Sequence, residues 1–180
     1  MKKKVICTVT GRSFSEIGNG RTEIFSENAD IILSLREKID KLVRSGITDF
    51  ICHAEYGFPL WCAEYIIELR DIREELGLSP IRLCAVRVHE GQQSGWSRDI
   101  QCRYFNVLDD ADVVKCFSDS RDADSHSKCE KLMIDCCHFI MTDVCDSFAV
   151  QYAQINAKPI VFCGDVCQSV KFRTPSDSLS

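Results

Sequence analysis

A chain of 180 residues with 45% apolar and 27% charged residues has the composition of an ordinary folded protein, neither disordered nor membrane-embedded. Its net charge of −5 offers no basic footprint, so no nucleic-acid partner is expected. Met1-Lys2-Lys3-Lys4 resembles the start of an export signal, but the apolar run behind it reaches Thr10-Gly11-Arg12 too soon, and no stretch is long enough to span a bilayer. A cytoplasmic protein without a membrane partner is the expectation.

Lys4 to Val9 is a short β-branched run and reads as the first strand, closed by the turn Thr10-Gly11-Arg12-Ser13-Phe14. Residues 15–26 look irregular, with Gly18-Asn19-Gly20 as a loop. Ile32, Leu35, Ile39, Leu42 and Val43 then recur at helical spacing, and Gly46 stops the helix. Asp49 to Ala54 is the second strand. The helix after it carries Trp61, Ile66, Ile67 and Leu69, with Pro59 in its first turn, and ends near Gly77. Ile81 to Val88 is the third strand, and a loop from His89 to Gly95 leads to a helix with Trp96, Ile100, Tyr104, Val107 and Leu108 on one face. Asp112 to Phe117 is the fourth strand, Lys128 to Cys137 a helix, His138 to Asp143 the fifth strand, Phe148 to Asn156 a helix, and Ile160 to Cys163 the sixth strand. A single domain over residues 1–165 is expected, with 166–180 as a C-terminal tail that frays from Thr174.

Six apolar runs alternating with five helical patterns call for an α/β fold: a Rossmann-like three-layer sandwich around a mostly parallel sheet, with strand order 3-2-1-4-5-6. Right-handed crossovers bring the C-terminal end of every strand to one edge. In that order the switch point lies between strands one and four, flanked by Gly11-Arg12 on one side and Ser118, Ser120 and Arg121 on the other. Gly57 marks a strand-to-helix turn that presents backbone N–H groups at the same edge.

The chain has 12 cysteines. Cys7, Cys52, Cys84, Cys116 and Cys163 fall one to each of five strands, which favours reduced core thiols over a disulfide scaffold. Cys136-Cys137-His138 and Cys163-x-x-x-Cys167 lack the paired spacing of a zinc site, so no metal and no cofactor are expected.

In their order and spacing, several of these segments resemble the YpsA-like branch of the SLOG superfamily, which is related to the DprA and Lonely Guy (LOG) proteins. The segments are Thr10-Gly11-Arg12, Gly57-Phe58-Pro59-Leu60-Trp61-Cys62-Ala63-Glu64, Trp96 with Arg98-Asp99 and Arg103-Tyr104, Ala111-Asp112-Val113-Val114, Met133-Ile134-Asp135, and Tyr152-Ala153-Gln154 followed by Ala157-Lys158-Pro159-Ile160. The resemblance implies a nucleotide pocket at the strand edge. The chain departs from the branch at His53, where a glycine is usual, and at Pro59, where an acidic residue is usual. After the fifth strand it has Cys145-Asp146-Ser147-Phe148 in place of a Gly-Gly-Thr turn. The Pro-Gly-Gly-x-Gly-Thr-x-x-Glu motif of the hydrolase branch is missing, and glycines at such a turn are what let a phosphate approach the backbone.

Candidate ligand-binding residues are Thr10, Gly11, Arg12, Phe14, His53, Gly57, Trp61, Glu64, Trp96, Ser118, Ser120, Arg121, Asp146 and Ser147. Trp61 and Trp96 offer flat faces to a ring, or else pack in the helix core. Arg12 and Arg121 can fork onto phosphate, or else lie on the surface. Asp146 and Ser147 can face a ligand or simply cap the following helix. Cys145 at that helix start is a remote candidate for an activated thiol. The expected function is binding, for sensing or sequestration, of a nucleotide-derived small molecule such as an NAD- or ADP-ribose-related or cyclic nucleotide signal. One alternative is a nucleotide N-glycosidic hydrolase of the LOG type with Glu64 as acid or base. Another is a vestigial pocket on a protein-interaction module. A homodimer is expected by analogy with Rossmann-like proteins.

Overall fold

The computed structural model describes residues 4–13, 28–119, 122 and 124–164. Phe14, Ser120, Arg121, the loop at Gly18-Asn19-Gly20 and the C-terminal tail lie outside these residues. The elements run β1 (Ile6–Val9), α1 (Ala29–Arg44), β2 (Asp49–His53), α2 (Phe58–Glu75), β3 (Arg82–His89), α3 (Arg98–Asp110), β4 (Val113–Ser118), α4 (Ser125–Asp135), β5 (Phe139–Thr142), α5 (Phe148–Ile155) and β6 (Ile160–Phe162). All strand pairings are parallel, so this is the Rossmann-like α/β sheet that the alternating pattern requires.

Alternation along the strands assigns the two faces. Cys7, Val9, Phe50, Cys52, Leu83 and Ala85 point to one side and pack with Leu35 and Ile39 of α1, Leu60 and Ile66 of α2, and Tyr104 and Val107 of α3. On the other side Ile6, Ile51, Cys84, Val86 and Ile140 meet α4 through Cys129, Met133 and Ile134, and α5 through Ala149, Val150 and Ala153. Each large apolar side chain buried in this way contributes roughly 1.5–3 kcal/mol. Cys7, Cys52, Cys62, Cys129 and Cys163 are buried thiols, and burial pushes Cys129 and Cys163 up to about 12. Cys116 departs from the expected pattern, being exposed on β4.

The strand order is β4-β3-β2-β1-β5-β6, which corrects the expected 3-2-1-4-5-6. The fourth strand sits outside the third, and the fifth takes the place beside the first. The reason lies in the side chains. Val113-Val114-Lys115-Cys116 of β4 are all exposed, and a lysine in mid-strand suits an edge. Ile140, Met141 and Thr142 of β5 are fully buried and need cover on both faces. The switch point therefore lies between β1 and β5, and two strands separate β1 from the Ser118 end of β4.

Candidate functional site

Two cavities open along the C-terminal edge of the sheet. One, of about 750 Å³, is lined by residues of the loops after β3 and β4, among them His89, Gln92, Trp96, Asp119 and Asp122. The other, of about 510 Å³, lies at the switch point and is lined by Thr10 to Ser13 after β1 and by Val144 and Asp146 to Phe148 after β5. Glu55 and His126 line both, so the two form one groove with these residues at its waist.

The switch-point floor is built from charge. The buried carboxylate of Asp143 accepts the Arg12 backbone N–H at 2.9 Å and its guanidinium Nε–H at 2.8 Å. Burial pushes the Asp143 carboxyl up from its ordinary value despite the Arg12 charge beside it. Gly11 is required here, because a Cβ would collide with the Asp143 carboxylate and the Phe58 ring. The carbonyl of Arg12 accepts the Phe58 N–H at 3.1 Å, and Ser13 bridges to Gly57, which tie the loop after β1 to the start of α2. Gly57 has a φ of 125°, a conformation that only glycine adopts without strain.

At the waist, Thr10 Oγ1 donates to Glu130 Oε1 at 2.5 Å. Glu130 Oε2 stands 3.7 Å from His126 Nδ1, and His126 Nε2 is 2.8 Å from Glu55 Oε2. The same Glu55 oxygen is 3.3 Å from Nδ1 of His53. Burial by itself would push the Glu55 carboxyl up, but the hydrogen bonds and charge of His126 and His53 outweigh it and hold it well below the usual carboxylate range. His53, Glu55 and His126 bring potential ligand atoms within 4.8 Å of one another, two imidazoles and a carboxylate being residue types that ligate metal ions. Gln92 steadies the loops around it. Its side-chain amide donates to the Ala54 carbonyl, and its Oε1 accepts the Val88 N–H at 2.8 Å.

The structure gathers Thr10, Gly11, Arg12, Asp146 and Ser147 around the switch-point cavity and seats Trp96 on the wall of the other. Ser147 Oγ accepts the Val150 N–H at 3.2 Å and so caps α5, while Asp146 accepts from Gln151. Trp61 is elsewhere: it is 4% exposed and packed in the core beneath α2, as its place in an apolar helix face demands. Glu64 faces α3, where Arg103 grips both of its oxygens at 2.6 Å. Ser118 ends the edge strand, in register with His89. Cys145 is disulfide-bonded, which removes the free thiol considered for it. His138 is structural, its Nδ1 accepting the Ile6 N–H at 3.1 Å.

Sequence reasoning missed Glu55, Glu130, His126 and Asp143. The available signal was the spacing His126-x-x-x-Glu130, which puts both side chains on one face of a helix. Starting that helix at Lys128 hid it, whereas the helix begins at Ser125.

The sequence profile of the YspA SLOG family matches residues 7–147. The chain is 30% identical over 114 residues to the UPF0398 protein ABC2016 of Shouchella clausii, covering 61% of this chain and 56% of that protein. It is 26% identical over 113 residues to the UPF0398 protein BH1768 of Halalkalibacterium halodurans, covering 61% and 54%. With the UPF0398 protein SaurJH9_1506 of Staphylococcus aureus it shares 26% identity over 95 residues, or 51% and 48%. The chain thus spans about half the length of the curated relatives it matches. Among the described residues no helix is long and apolar enough to cross a membrane.

Proposed function

The chain belongs to the YspA SLOG family, and from that premise we propose that it binds a nucleotide-derived small molecule in the groove at the C-terminal edge of its sheet. The observation that carries this reading is the groove itself. It runs from the β1/β5 switch point, where ligands bind in open parallel sheets, past the waist to the half-buried Trp96.

The lining narrows the chemistry. Glu55, Glu90, Asp119, Asp122, Glu130 and Asp146 all face the groove, and Arg12 is already engaged by Asp143. A bare polyphosphate would be repelled along most of this length. Carboxylates instead accept hydrogen bonds from ribose hydroxyls and exocyclic amines, and Trp96 can stack on a base or on a cationic ring such as nicotinamide. This supports an NAD- or ADP-ribose-related signal, held by its sugars and rings. Hydrolysis through Glu64 has no such support, because that carboxylate is committed to Arg103 and lies outside the residues lining the groove.

Calorimetry and native mass spectrometry of the purified chain against NAD, ADP-ribose and cyclic nucleotides test the proposal. One-to-one binding that weakens at least about tenfold in a folded Trp96→Ala variant is expected. A wild-type protein that binds none of the panel would overturn it. Chromatography of the recovered ligand separates binding from cleavage.

A further inference from the structure

We propose that His53, Glu55 and His126 form a binding site for a borderline divalent transition-metal ion of the zinc class. The proposal stands apart from the nucleotide reading, since it concerns the metal alone.

Three observations point there. The first is spacing. Atoms bound about 2.1 Å from a common ion stand about 2.9–3.4 Å apart in octahedral or tetrahedral arrangements. The Glu55 oxygen is 3.3 Å from His53 Nδ1, inside that range, and 2.8 Å from His126 Nε2, just short of it, and all three ligand atoms lie within 4.8 Å of one another. The second is the state of His53, which is 1% exposed and whose Nε2 has no hydrogen-bond partner. With its proton on Nδ1, the ring keeps a buried Nε2 lone pair that nothing donates to, which costs roughly 1–3 kcal/mol. With its proton on Nε2, the Nδ1 lone pair is set against a carboxylate oxygen, which is repulsive unless a cation lies between them. A metal ion makes that second arrangement attractive at Nδ1, while Nε2 stays unmet in either tautomer, so it is the facing of Nδ1 and the carboxylate that points to a cation. The third is support and access. Glu130, held by Thr10, stands beside the far nitrogen of His126 and acts as a positioning residue for that ring. The His126 side chain is 47% exposed, and with Glu55 it lines both cavities, so an ion can enter from either.

Two imidazoles and one carboxylate select zinc, iron(II), cobalt or nickel over magnesium and calcium, which prefer all-oxygen sites. Three protein ligands leave coordination positions open toward the groove, where an oxygen of a bound molecule could complete the shell.

The test uses the full chain, stripped with chelator and titrated with zinc and with cobalt(II). One ion per chain is expected, with a rise in melting temperature and visible cobalt d–d bands that lack the intense near-ultraviolet thiolate band. His126→Gln and Glu55→Gln change side chains that are partly exposed, and circular dichroism reports whether each folds. Each should weaken binding by at least about tenfold, and Glu130→Gln by about tenfold through the orientation of His126. Wild-type protein that takes up no stoichiometric ion would overturn the proposal. So would undiminished affinity in folded His126→Gln, or a cobalt spectrum dominated by thiolate ligation.

Discussion

Arg12 holds Asp143 twice, once through its backbone N–H at 2.9 Å and once through its guanidinium at 2.8 Å, across the gap where the sheet reverses its winding. The carboxylate is 1% exposed, and its only charged partner among these contacts is an arginine that is itself three-quarters covered. A pair placed in this way locks the loop after β1 to the end of β5 and shapes the floor of the groove.

Arg12→Ala should therefore destabilise the fold by roughly 2 kcal/mol at pH 7, because it leaves a buried carboxylate without its countercharge. The pH dependence follows from the direction of the Asp143 shift. Its folded-state pKa is raised by burial, so the native chain holds that proton more tightly than the unfolded chain, whose value is about 3.9. Stability from this group is fully present below the unfolded pKa and is lost as pH rises through the folded one. The Arg12→Ala deficit should accordingly shrink as pH falls from 7 toward 4. Urea denaturation at pH 7, 5 and 4 checks both sign and size.

Gly11→Ala should be costly even though alanine is small. Its methyl group would enter the space of the Asp143 carboxylate and the Phe58 ring, and relief requires moving either the ion pair or the start of α2. A loss of about 1–3 kcal/mol is expected from overpacking of this kind. Thermal unfolding of Gly11→Ala beside Gly46→Ala separates crowding from strain, since nothing stands within 4 Å of a Cβ at Gly46 and its cost there comes from a φ of 97°.

The two tryptophans should behave oppositely. Trp61→Ala removes a core side chain and should lower stability by about 3–5 kcal/mol. Trp96 packs edge-on against Tyr104, with ring centroids 5.4 Å apart, and also borders the groove. Ligand-dependent fluorescence change should survive in Trp61→Phe and vanish in Trp96→Phe. The reverse result would move the ligand away from the Trp96 wall.

Glu64 and Arg103 should couple to each other rather than to any ligand. Their two-pronged pair joins α2 to α3, with both side chains less than one-third exposed. A double-mutant cycle with Glu64→Gln and Arg103→Gln should give a coupling of about 0.5–1 kcal/mol in stability. Ligand affinity should stay within about twofold of wild type in both variants, measured by calorimetry.

How much of this was legible in the linear chain depends on the range of the interaction involved. The alternation of β-branched runs with 3.6-residue periodicity announced six strands and five helices, and parallel pairing followed, since each strand is separated from the next by a helix. Family membership was readable too, because it rests on motifs such as Thr10-Gly11-Arg12 that keep their local order. Gly11 and Gly57 were identified as turn residues for reasons contained in their own few neighbours.

Tertiary structure decided the rest. Whether β4 or β5 would lie beside β1 turned on a competition for burial between Lys115 at an edge and Ile140-Met141-Thr142 in the interior, and a local pattern does not register that competition. Trp61 and Trp96 look alike as letters, yet Trp61 sits on the inward face of α2, in the core, whereas Trp96 stands not on the expected helix but in the loop before α3, on the groove. The waist of the groove joins Thr10, Glu55 and His126, residues separated by up to 116 positions. Their meeting is a consequence of crossover connections that return the chain to one sheet edge. Spacing along a sequence encodes contacts within one element, whereas a site assembled from five loops exists only after the strands have chosen their neighbours.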